Sequence, residues 1–407
     1  MGRPKIRFEG YSEDWEQRKL PEFVSFFNGL TYTPDDVEET GTLVLRSSNV
    51  KNGEIVDADN VYVNDKVVTS ENVQKGDIIV VVRNGSRALI GKHAQIKASM
   101  PNTVIGAFMS GMRSEHSSFV NALLDTSAFE NEIAKNMGAT INQITGYMFS
   151  KMEFMIPSGE EQQKIGEYFQ SLDHLITLHQ RKYDETKTLK KYMLQKMFPQ
   201  NGEKVPEIRF DGFTEDWEQR KLGNITVKIG SGKTPSGGKS AYVETGIPLI
   251  RSQNVNGDKV DFADIVFVDE TTDESMANSR VYTNDVLLNI TGASIGRSAV
   301  YKGLESANVN QHVCIIRPTE GYQPDFIQLN LSSDNGQKQI DASQAGGGRE
   351  GLNFQEIGKM QFCFPSLNEQ KCIGRYFNSL DHFITLHQRK CNELKEIKKY
   401  MLQNMFV

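Results

Sequence analysis

Apolar side chains recur at helical spacing along two long stretches of the chain. They are Ile165, Phe169, Leu172, Ile176, Leu189, Met193 and Met197 in the first stretch, and Ile373, Phe377, Leu380 and Ile384 in the second. A period of 3.6 residues predicts amphipathic helices, and each stretch opens after a proline, Pro157 or Pro365, which favours a helix start there. Each predicted helix has about 40 residues, or roughly 60 Å at the α-helical rise.

Helices of this length exceed what a globular core requires. Their matching apolar stripes predict that they pack on each other as an antiparallel, coiled-coil-like spacer. The alternative is that each stripe covers only its own domain. The histidines on these helices are interpreted as surface or seam residues rather than metal ligands; they are His174, His179, His382 and His387.

The remaining segments combine strand and helix patterns. Short β-branched runs at residues 42–45, 78–82, 265–268 and 313–316 are separated by Asn, Asp and Gly turns, which predicts strands. Helical patterns follow at residues 118–136 and 324–340. The predicted fold class is therefore α+β, with mixed β-sheet and helices in each segment.

The chain also repeats itself. IRFEGYSEDWEQRKL at residues 6–20 returns as IRFDGFTEDWEQRKL at residues 208–222, and the copies carry the only two tryptophans, Trp15 and Trp217. Residues 156–198 likewise match residues 364–406, with SLDH and ITLHQRK in both. Repeats of this length are duplicated domains rather than solenoid units, and they predict a pseudo-twofold molecule.

The order of motifs gives the expected domain boundaries. They are a lead-in at 1–20, a first mixed domain at 21–155, a first long helix at 156–198, a linker with the repeated lead-in at 199–222, a second mixed domain at 223–363 and a second long helix at 364–407.

Composition narrows the class of protein. The 407 residues carry a net charge of −6, which argues mildly against a protein that coats nucleic acid, although a local basic surface is enough for specific binding. The four cysteines lack metal-site spacing and are predicted to be free thiols. No signal peptide or membrane span is predicted, so we expect a cytoplasmic protein with no membrane partner.

The sequence contains one partial match to a catalytic motif. GSGKT at residues 230–234 resembles the end of a phosphate loop, but Val227 replaces the first glycine and Pro235 stands where a helix should begin. No methyltransferase, zinc or nucleophile-elbow motif occurs. A phosphate-loop enzyme built around Lys233 is therefore a weak alternative, and the chain is predicted to be non-catalytic, without cofactor or metal.

Comparison of the two halves separates shared from differing positions. LRSSNV at residues 45–50 parallels IRSQNV at 250–255, and NGSRALIGK at 84–92 parallels TGASIGR at 291–297. A strand that ends in Arg-Ser-x-Asn predicts a polar turn whose side chains bond the backbone. The basic residues at shared positions or beside glycines are candidates for DNA phosphate contacts: Arg46, Lys92, Arg251, Arg297 and Arg349. The glycine triplet at residues 346–348, just before Arg349, is interpreted as a flexible connection, with anion binding as the alternative.

Polar residues that differ between the halves are candidates for reading bases, since arginine pairs with guanine and Asn or Gln with adenine. In the first domain they are Asn84, Ser86, Arg87, His93 and Gln95. In the second they are Thr291, Ser294, Asn310, Gln311 and His312. The alternative for each is a solvated loop position.

This order of motifs resembles the specificity subunit of type I restriction-modification enzymes across essentially the whole chain. The motifs are EDWEQRKL, the IRSQNV-like and TGASIG-like elements, the P-S-x-x-E-Q entry and the helix from SLDHxITLHQRK to MLQ-[KN]-MF. The resemblance implies that the mixed domains are target recognition domains for the two halves of an asymmetric, double-stranded DNA site. It implies that the helices set the spacer between half-sites.

The resemblance also implies partners. Two modification subunits would dock on the helices and methylate adenine with S-adenosylmethionine, and restriction subunits would hydrolyse ATP with Mg²⁺. The competing hypothesis from another class is a coiled-coil scaffold that binds proteins without specific DNA recognition.

Overall fold

The computed structural model describes residues 2–137, 142–200, 203–344 and 351–407. The chain divides into two compact units. Unit 1 consists of Met1–Arg181 and His387–Val407, and unit 2 of Lys182–Leu386. Each unit therefore contains one mixed domain, the first part of one long helix and the last part of the other.

Unit 1 contains one mixed four-stranded sheet, one antiparallel four-stranded sheet and a two-stranded sheet in which a strand of the lead-in pairs with a strand that precedes the first long helix. Its strands are β1 (Glu16–Lys19), β2 (Ser25–Asn28), β3 (Val37–Glu38), β4 (Thr42–Leu45), β5 (Val50–Lys51), β6 (Glu54–Ile55), β7 (Val61–Val63), β8 (Ile78–Val81), β9 (His93–Gln95), β10 (Thr103–Ile105), β11 (Met109–Arg113) and β12 (Glu153–Ile156). Its helices are α1 (Ser117–Leu124), α2 (Ser127–Asn136), α3 (Gly146–Phe149) and the first part of α4 (Gly159–Lys196). The strand orders are β10-β4-β7-β3, β2-β11-β8-β9 and β1-β12, with β5 and β6 as a hairpin.

Unit 2 repeats this plan. Its strands are β13 (Glu218–Lys221), β14 (Thr226–Ser231), β15 (Ile247–Ile250), β16 (Val255–Asn256), β17 (Lys259–Val260), β18 (Val266–Val268), β19 (Arg280–Val281), β20 (Val286–Asn289), β21 (Ser298–Val300), β22 (Ala307–Val309), β23 (Val313–Pro318) and β24 (Gln361–Phe364). Its helices are α5 (Glu270–Ser275), α6 (Pro324–Ser332), α7 (Asp334–Gln344), α8 (Phe354–Lys359) and the first part of α9 (Leu367–Met405). The strand orders are β14-β23-β20-β21, β18-β15-β22-β19 and β13-β24, with β16 and β17 as a hairpin.

The α+β class and the internal repeat are thus confirmed. In both units a parallel pair, β4 with β10 and β15 with β22, lies inside an otherwise antiparallel sheet. The units differ at one edge, because β3 extends the sheet beside β7 whereas β19 extends it beside β22. The predicted strands all appear in the structure.

The predicted single helices at residues 118–136 and 324–340 are each broken into two. The Thr126 hydroxyl accepts a hydrogen bond from Phe129 N and so caps the start of α2. In unit 2, Ser333 Oγ accepts from Gly336 N at 3.1 Å in the same way. A side-chain cap favours a new helix start, and an apolar periodicity that continues across the break conceals it in the sequence.

The two long helices are confirmed, with 38 residues in α4 and 39 in α9. In unit 1, His387 Nδ1 lies 3.0 Å from His179 Nδ1, and Lys398 Nζ lies 2.6 Å from Asp173 Oδ1. The contact residue on α9 rises from 387 to 398 as its partner on α4 falls from 179 to 173, so the two helices are antiparallel, as predicted. No helix within the described part of the chain is long and apolar enough to cross a membrane.

Each core takes an aromatic side chain from the end of a long helix. In unit 1, the rings of Trp15 and Phe406 meet edge to face with centroids 6.1 Å apart. In unit 2, Trp217 and Phe198 meet in the same way at 6.2 Å. The end of α9 therefore completes the core of the first domain, and the end of α4 completes that of the second.

Arginines of the repeated lead-in fix the start of each long helix. Arg7 forms two hydrogen bonds of 2.7 Å with the Glu161 carboxylate, and Arg209 forms the same two with Glu369. Both glutamates are fully buried. Such two-pronged pairs are stronger than single contacts and hold a fixed geometry, so the lead-in is part of the fold rather than a loose extension.

Candidate nucleic-acid interface

A polar turn follows β4 in unit 1 and β15 in unit 2. Asn49 Oδ1 accepts a hydrogen bond from Arg46 N at 2.9 Å, and Asn254 Oδ1 accepts one from Arg251 N at 3.0 Å. Both amides also donate to carbonyl oxygens of the downstream loop and are buried. The prediction that these asparagines bond the backbone is confirmed.

The two arginines of these turns brace the same loop in each unit. Arg46 Nη2 donates to the carbonyl oxygen of Asp59, and Arg251 Nη2 donates to that of Asp264. The same hydrogen bond occurs in both units. This structural role alone explains why an arginine stands at the equivalent position of each half. Contact of either arginine with phosphate stays a prediction.

In unit 1 the loop between β8 and β9 is tied to the polar turn at Ser47. Asn84 Nδ2 donates to Ser47 Oγ at 3.2 Å, and Lys92 Nζ donates to Ser47 O at 3.4 Å. Asn84 Oδ1 also accepts from Ser86 N at 2.9 Å, while Ser86 and Arg87 are exposed on the loop. The structure therefore brings Asn84, Lys92, Ser86 and Arg87 to one edge of the domain.

Two residues at this edge were missed by the sequence analysis. The Arg83 guanidinium carbon lies 5.0 Å from the centroid of the Phe108 ring, a distance typical of a cation–π contact. Phe108 is 54% exposed. It escaped notice because it precedes a strand in an apolar run, where a core position is the ordinary interpretation. The exposure of the ring could not be seen without the fold.

A groove of about 600 Å³ runs beside this pair. Leu30, Tyr32 and Val61 form much of its apolar wall, and Arg46 and Phe108 lie along it. The groove thus joins an apolar surface to the cationic edge of unit 1.

Two other candidates of unit 1 lie away from this edge. His93 and Gln95 on β9 are 8% and 6% exposed. His93 Nε2 lies 3.4 Å from Asp125 Oδ1, and Gln95 Nε2 donates to Ser117 Oγ at 2.9 Å. The strand turns both side chains towards α1, so this burial removes the basis for proposing either as a base contact.

The His93–Asp125 pair has perturbed titration. Burial lowers the pKa of His93, but the hydrogen bond and the charge of Asp125 outweigh it and raise that pKa above its ordinary value. Burial raises the pKa of Asp125, but His93 and Lys398 outweigh it and lower that pKa to about 2. Both groups are therefore charged at mildly acidic pH, within the fold and away from the exposed loops.

Unit 2 carries a chain of polar side chains at the edge that corresponds to Phe108. Thr291 Oγ1 lies 2.5 Å from His312 Nδ1, and Gln311 Nε2 lies 3.0 Å from His312 Nε2. Thr234 Oγ1 donates to Gln311 Oε1, and Asn310 Oδ1 accepts from His312 N at 3.1 Å. Four of the predicted candidates, Thr291, Asn310, Gln311 and His312, therefore meet in one cluster.

The remaining candidates of unit 2 are placed less closely. Arg297 is exposed and forms no ion pair with any residue that the structure describes. Ser294 lies on the same loop between β20 and β21, where its carbonyl oxygen accepts from Arg297 N at 3.1 Å. Arg349 and the glycine triplet at residues 346–348 lie outside the described residues.

The weak phosphate-loop alternative finds no support. Gly230 and Ser231 end β14, and a 3-10 turn at residues 238–241 follows Pro235 in place of an α-helix. Gly232 passes so close to the carbonyl oxygen of Val309 that any Cβ would clash. Within the described ranges, no three His, Cys, Asp or Glu side chains are grouped to hold a metal ion.

Comparison with known proteins assigns the family. The model of the type I restriction modification DNA specificity domain matches residues 12–188 and again residues 214–396. The chain belongs to the type I restriction-modification DNA specificity family. The two matches coincide with the two repeats, so this specificity subunit contains two copies of the family domain in one chain.

Relatives and solved structures agree with this assignment. The chain is 22% identical over 398 residues to the EcoKI specificity subunit of Escherichia coli K12, covering 93% of this chain and 85% of that one. It is 22% identical over 277 residues to the MjaVIII specificity subunit of Methanocaldococcus jannaschii, covering 66% and 64%. The S subunit of a type I system from M. genitalium has the same fold, with a TM-score of 0.67, 16% identity and 100% and 99% coverage. The specificity subunit is thus a DNA-sequence-recognition protein of a type I system, without catalysis of its own.

Proposed function

We propose that this specificity subunit recognises an asymmetric, split target in double-stranded DNA, with one half-site bound by each mixed domain. The observation that carries the proposal is the difference between equivalent edges on one repeated scaffold. Unit 1 presents Arg83 against Phe108, whereas unit 2 presents Thr291 against His312. A shared fold with unlike contact surfaces fits two unlike half-sites, since base edges are read by hydrogen bonds and apolar contacts.

The proposal assigns phosphate contacts to two cations of these edges that form no ion pair with a residue in the described ranges. Lys92 and Arg297 occupy equivalent loop positions in the two units. Cations of this kind position a protein on DNA without reading sequence. In unit 1, Asn84, Ser86 and the exposed Arg87 lie on the same loop as Lys92 and are proposed as contacts to the bases of the first half-site.

We further infer that two identical modification subunits dock on the long helices. Exposed apolar side chains recur at equivalent positions of both: Leu175, Ile397 and Tyr400 in unit 1, and Phe383, Leu189 and Tyr192 in unit 2. Apolar residues left exposed on a helix pair are typical of binding surfaces. Because each unit carries the same set, the same partner fits twice.

The partners supply the chemistry under this proposal. Modification subunits would bring S-adenosylmethionine for adenine methylation, and restriction subunits recruited through them would bring ATP and Mg²⁺. The complex would act in the cytoplasm on the cell's DNA.

Sequencing of methylated adenines tests the proposal. DNA from cells that express this chain with its modification subunit is compared with DNA from cells that lack the chain. We expect a split motif with two unlike halves that depends on the chain. If the assembled complex gives no chain-dependent methylation, the proposal fails.

A further inference from the structure

The turn that joins β10 to β11 and the turn that joins β22 to β23 occupy the same place in their units. Val82 N donates to Phe108 O at 2.9 Å, and Ile290 N donates to His312 O at 3.0 Å. The last residue of each turn is thus held by the end of the neighbouring central strand. Phe108 and His312 are structural counterparts, although the turn sequences GAF at residues 106–108 and NQH at residues 310–312 have no residue in common.

The turn of unit 1 presents an apolar surface within a cationic edge. Phe108 is about half exposed and lines the apolar groove. Arg83 packs against its ring, and Arg87 and Lys92 lie on the loop that follows Arg83. None of the three forms an ion pair with a residue in the described ranges. Cations without carboxylate partners favour an anionic ligand such as DNA over an apolar peptide.

The turn of unit 2 presents a fixed amide instead. Gln311 Oε1 accepts from Thr234, and Gln311 Nε2 donates to His312 Nε2. A carboxamide has two N–H donors and two oxygen lone pairs. Among the residues that the structure describes, one donor and one acceptor of Gln311 have no partner, and the hydrogen bonds with Thr234 and His312 fix the orientation of the amide.

We propose, resting on the split-site function above, that these two turns read bases by different chemistry. Phe108 contacts the C5-methyl group of a thymine in the first half-site, because apolar side chains recognise that methyl group in the major groove. Gln311 forms a two-pronged hydrogen bond with the N6 and N7 edge of an adenine in the second half-site. Arg83 positions the Phe108 ring, and His312 positions the Gln311 amide.

Modified duplexes test each half of the proposal directly. After the wild-type target has been mapped, each thymine of the first half-site is replaced singly by deoxyuridine, which lacks the C5-methyl group. Each adenine of the second half-site is replaced singly by 7-deaza-adenine, which lacks N7. Binding is measured with the assembled methyltransferase complex containing wild-type, Phe108→Ala or Gln311→Ala chains.

We expect one thymine position at which deoxyuridine weakens wild-type binding about tenfold and leaves binding by the Phe108→Ala complex unchanged. We expect one adenine position with the same behaviour towards Gln311→Ala. Each variant should leave the other half-site unaffected, so each is the other's control for folding and assembly. Gln311→Glu should lose the adenine preference, because a carboxylate lacks the donor.

Three outcomes overturn the inference. A mapped first half-site without thymine, or a Phe108→Ala complex that stays sensitive to deoxyuridine, removes the thymine contact. Equal loss on all duplexes makes the turns phosphate-binding or structural. Unchanged DNA binding with lost subunit assembly makes the groove a protein-docking surface. A wild-type complex without any specific target is a different result, since it contradicts the proposed function itself.

Discussion

Lys398 Nζ on α9 lies 2.6 Å from Asp173 Oδ1 on α4, and at the same distance from Asp125 Oδ2 at the end of α1. One ammonium group therefore joins both long helices to the domain of unit 1. Burial lowers the pKa of Lys398, but the two carboxylates outweigh it and raise that pKa. The lysine stays charged, and its removal would leave two carboxylates facing each other.

Lys398→Met is expected to destabilise unit 1 by about 2 kcal/mol, because two half-buried carboxylates lose their shared partner. Hydrogen exchange should show faster exchange in α1 and α2. Lys190 is the matched control, since it bridges Asp258 and Asp381 at 2.8 and 2.6 Å in unit 2. Lys190→Met should affect α6 and leave α1 unchanged. Equal effects of both variants on both units would contradict this localisation.

Phe406→Ala should cost about 3 kcal/mol in the free energy of unfolding, because it opens a cavity beside Trp15 in the core of unit 1. Phe198→Ala should cost unit 2 a similar amount. Hydrogen exchange at increasing denaturant separates the two, since exchange in α1 reports on unit 1 and exchange in α6 on unit 2. Leu304→Ala is the control, because Leu304 is 97% exposed and its loss should change stability little. A Phe406→Ala chain as stable as this control would rule out the packing role.

His93 should make the stability of unit 1 depend on pH. Its pKa is raised in the folded state, so its contribution is complete below about pH 6.5, the ordinary value, and is lost as pH rises through the raised pKa. Asp125, whose pKa is lowered to about 2, contributes above about pH 3.8 and loses its contribution as pH falls towards 2.

The measurement is the free energy of unfolding of wild-type and His93→Asn chains between pH 5 and 9. The stability difference between them should be largest at the acidic end and shrink as pH rises. Ser298 occupies the corresponding strand position in unit 2 and does not titrate in this range, so α6 exchange should show no such trend. A difference that is constant with pH would exclude a charged His93.

Substitution of the exposed helix residues should change the number of docked modification subunits. Ile397→Asp places a charge in the apolar set of unit 1 and should leave one bound subunit instead of two. Leu189→Asp should do the same through unit 2, and the double variant should bind none. Native mass spectrometry of the reconstituted complex counts the subunits directly. Two subunits on the double variant would show that docking lies elsewhere.

The repeat made much of the fold predictable. Features that occur twice, such as the long helices and the Arg7–Glu161 pair with its copy Arg209–Glu369, are visible or implied in the duplicated sequence. Lys398 and Lys190 each pair with one aspartate of the repeated helices, but the second aspartate differs between the units. Asp125, the second partner of Lys398, ends a helix, whereas Asp258, the second partner of Lys190, lies in a hairpin turn. Contacts that each half makes in its own way leave no trace in a comparison of the halves.

The candidate site was predicted less completely for the same reason. His93 and Gln95 are polar residues on a strand, and α1 covers the face of the strand on which they lie. The sequence alone does not show that a helix packs there. Phe108 and Arg83 are ordinary residues whose importance comes from exposure and from the position of one turn. In unit 2, by contrast, Asn310, Gln311 and His312 are neighbours in sequence, and the comparison of the two halves found them together with Thr291. Thr234, which bonds Gln311 from a distant part of the chain, was not predicted.

The exchange of helix ends between cores gives each half of the chain two complementary parts. Residues 1–181 form a domain that needs the end of a long helix, and Phe198 at the end of α4 fills in unit 2 the place that Phe406 fills in unit 1. Each half of the chain therefore contains a domain core that accepts a helix end and a helix end that packs into the other core, as each protomer of a domain-swapped homodimer does. The full chain is in this sense a swapped dimer fused end to end, and the fusion is what allows its two halves to diverge.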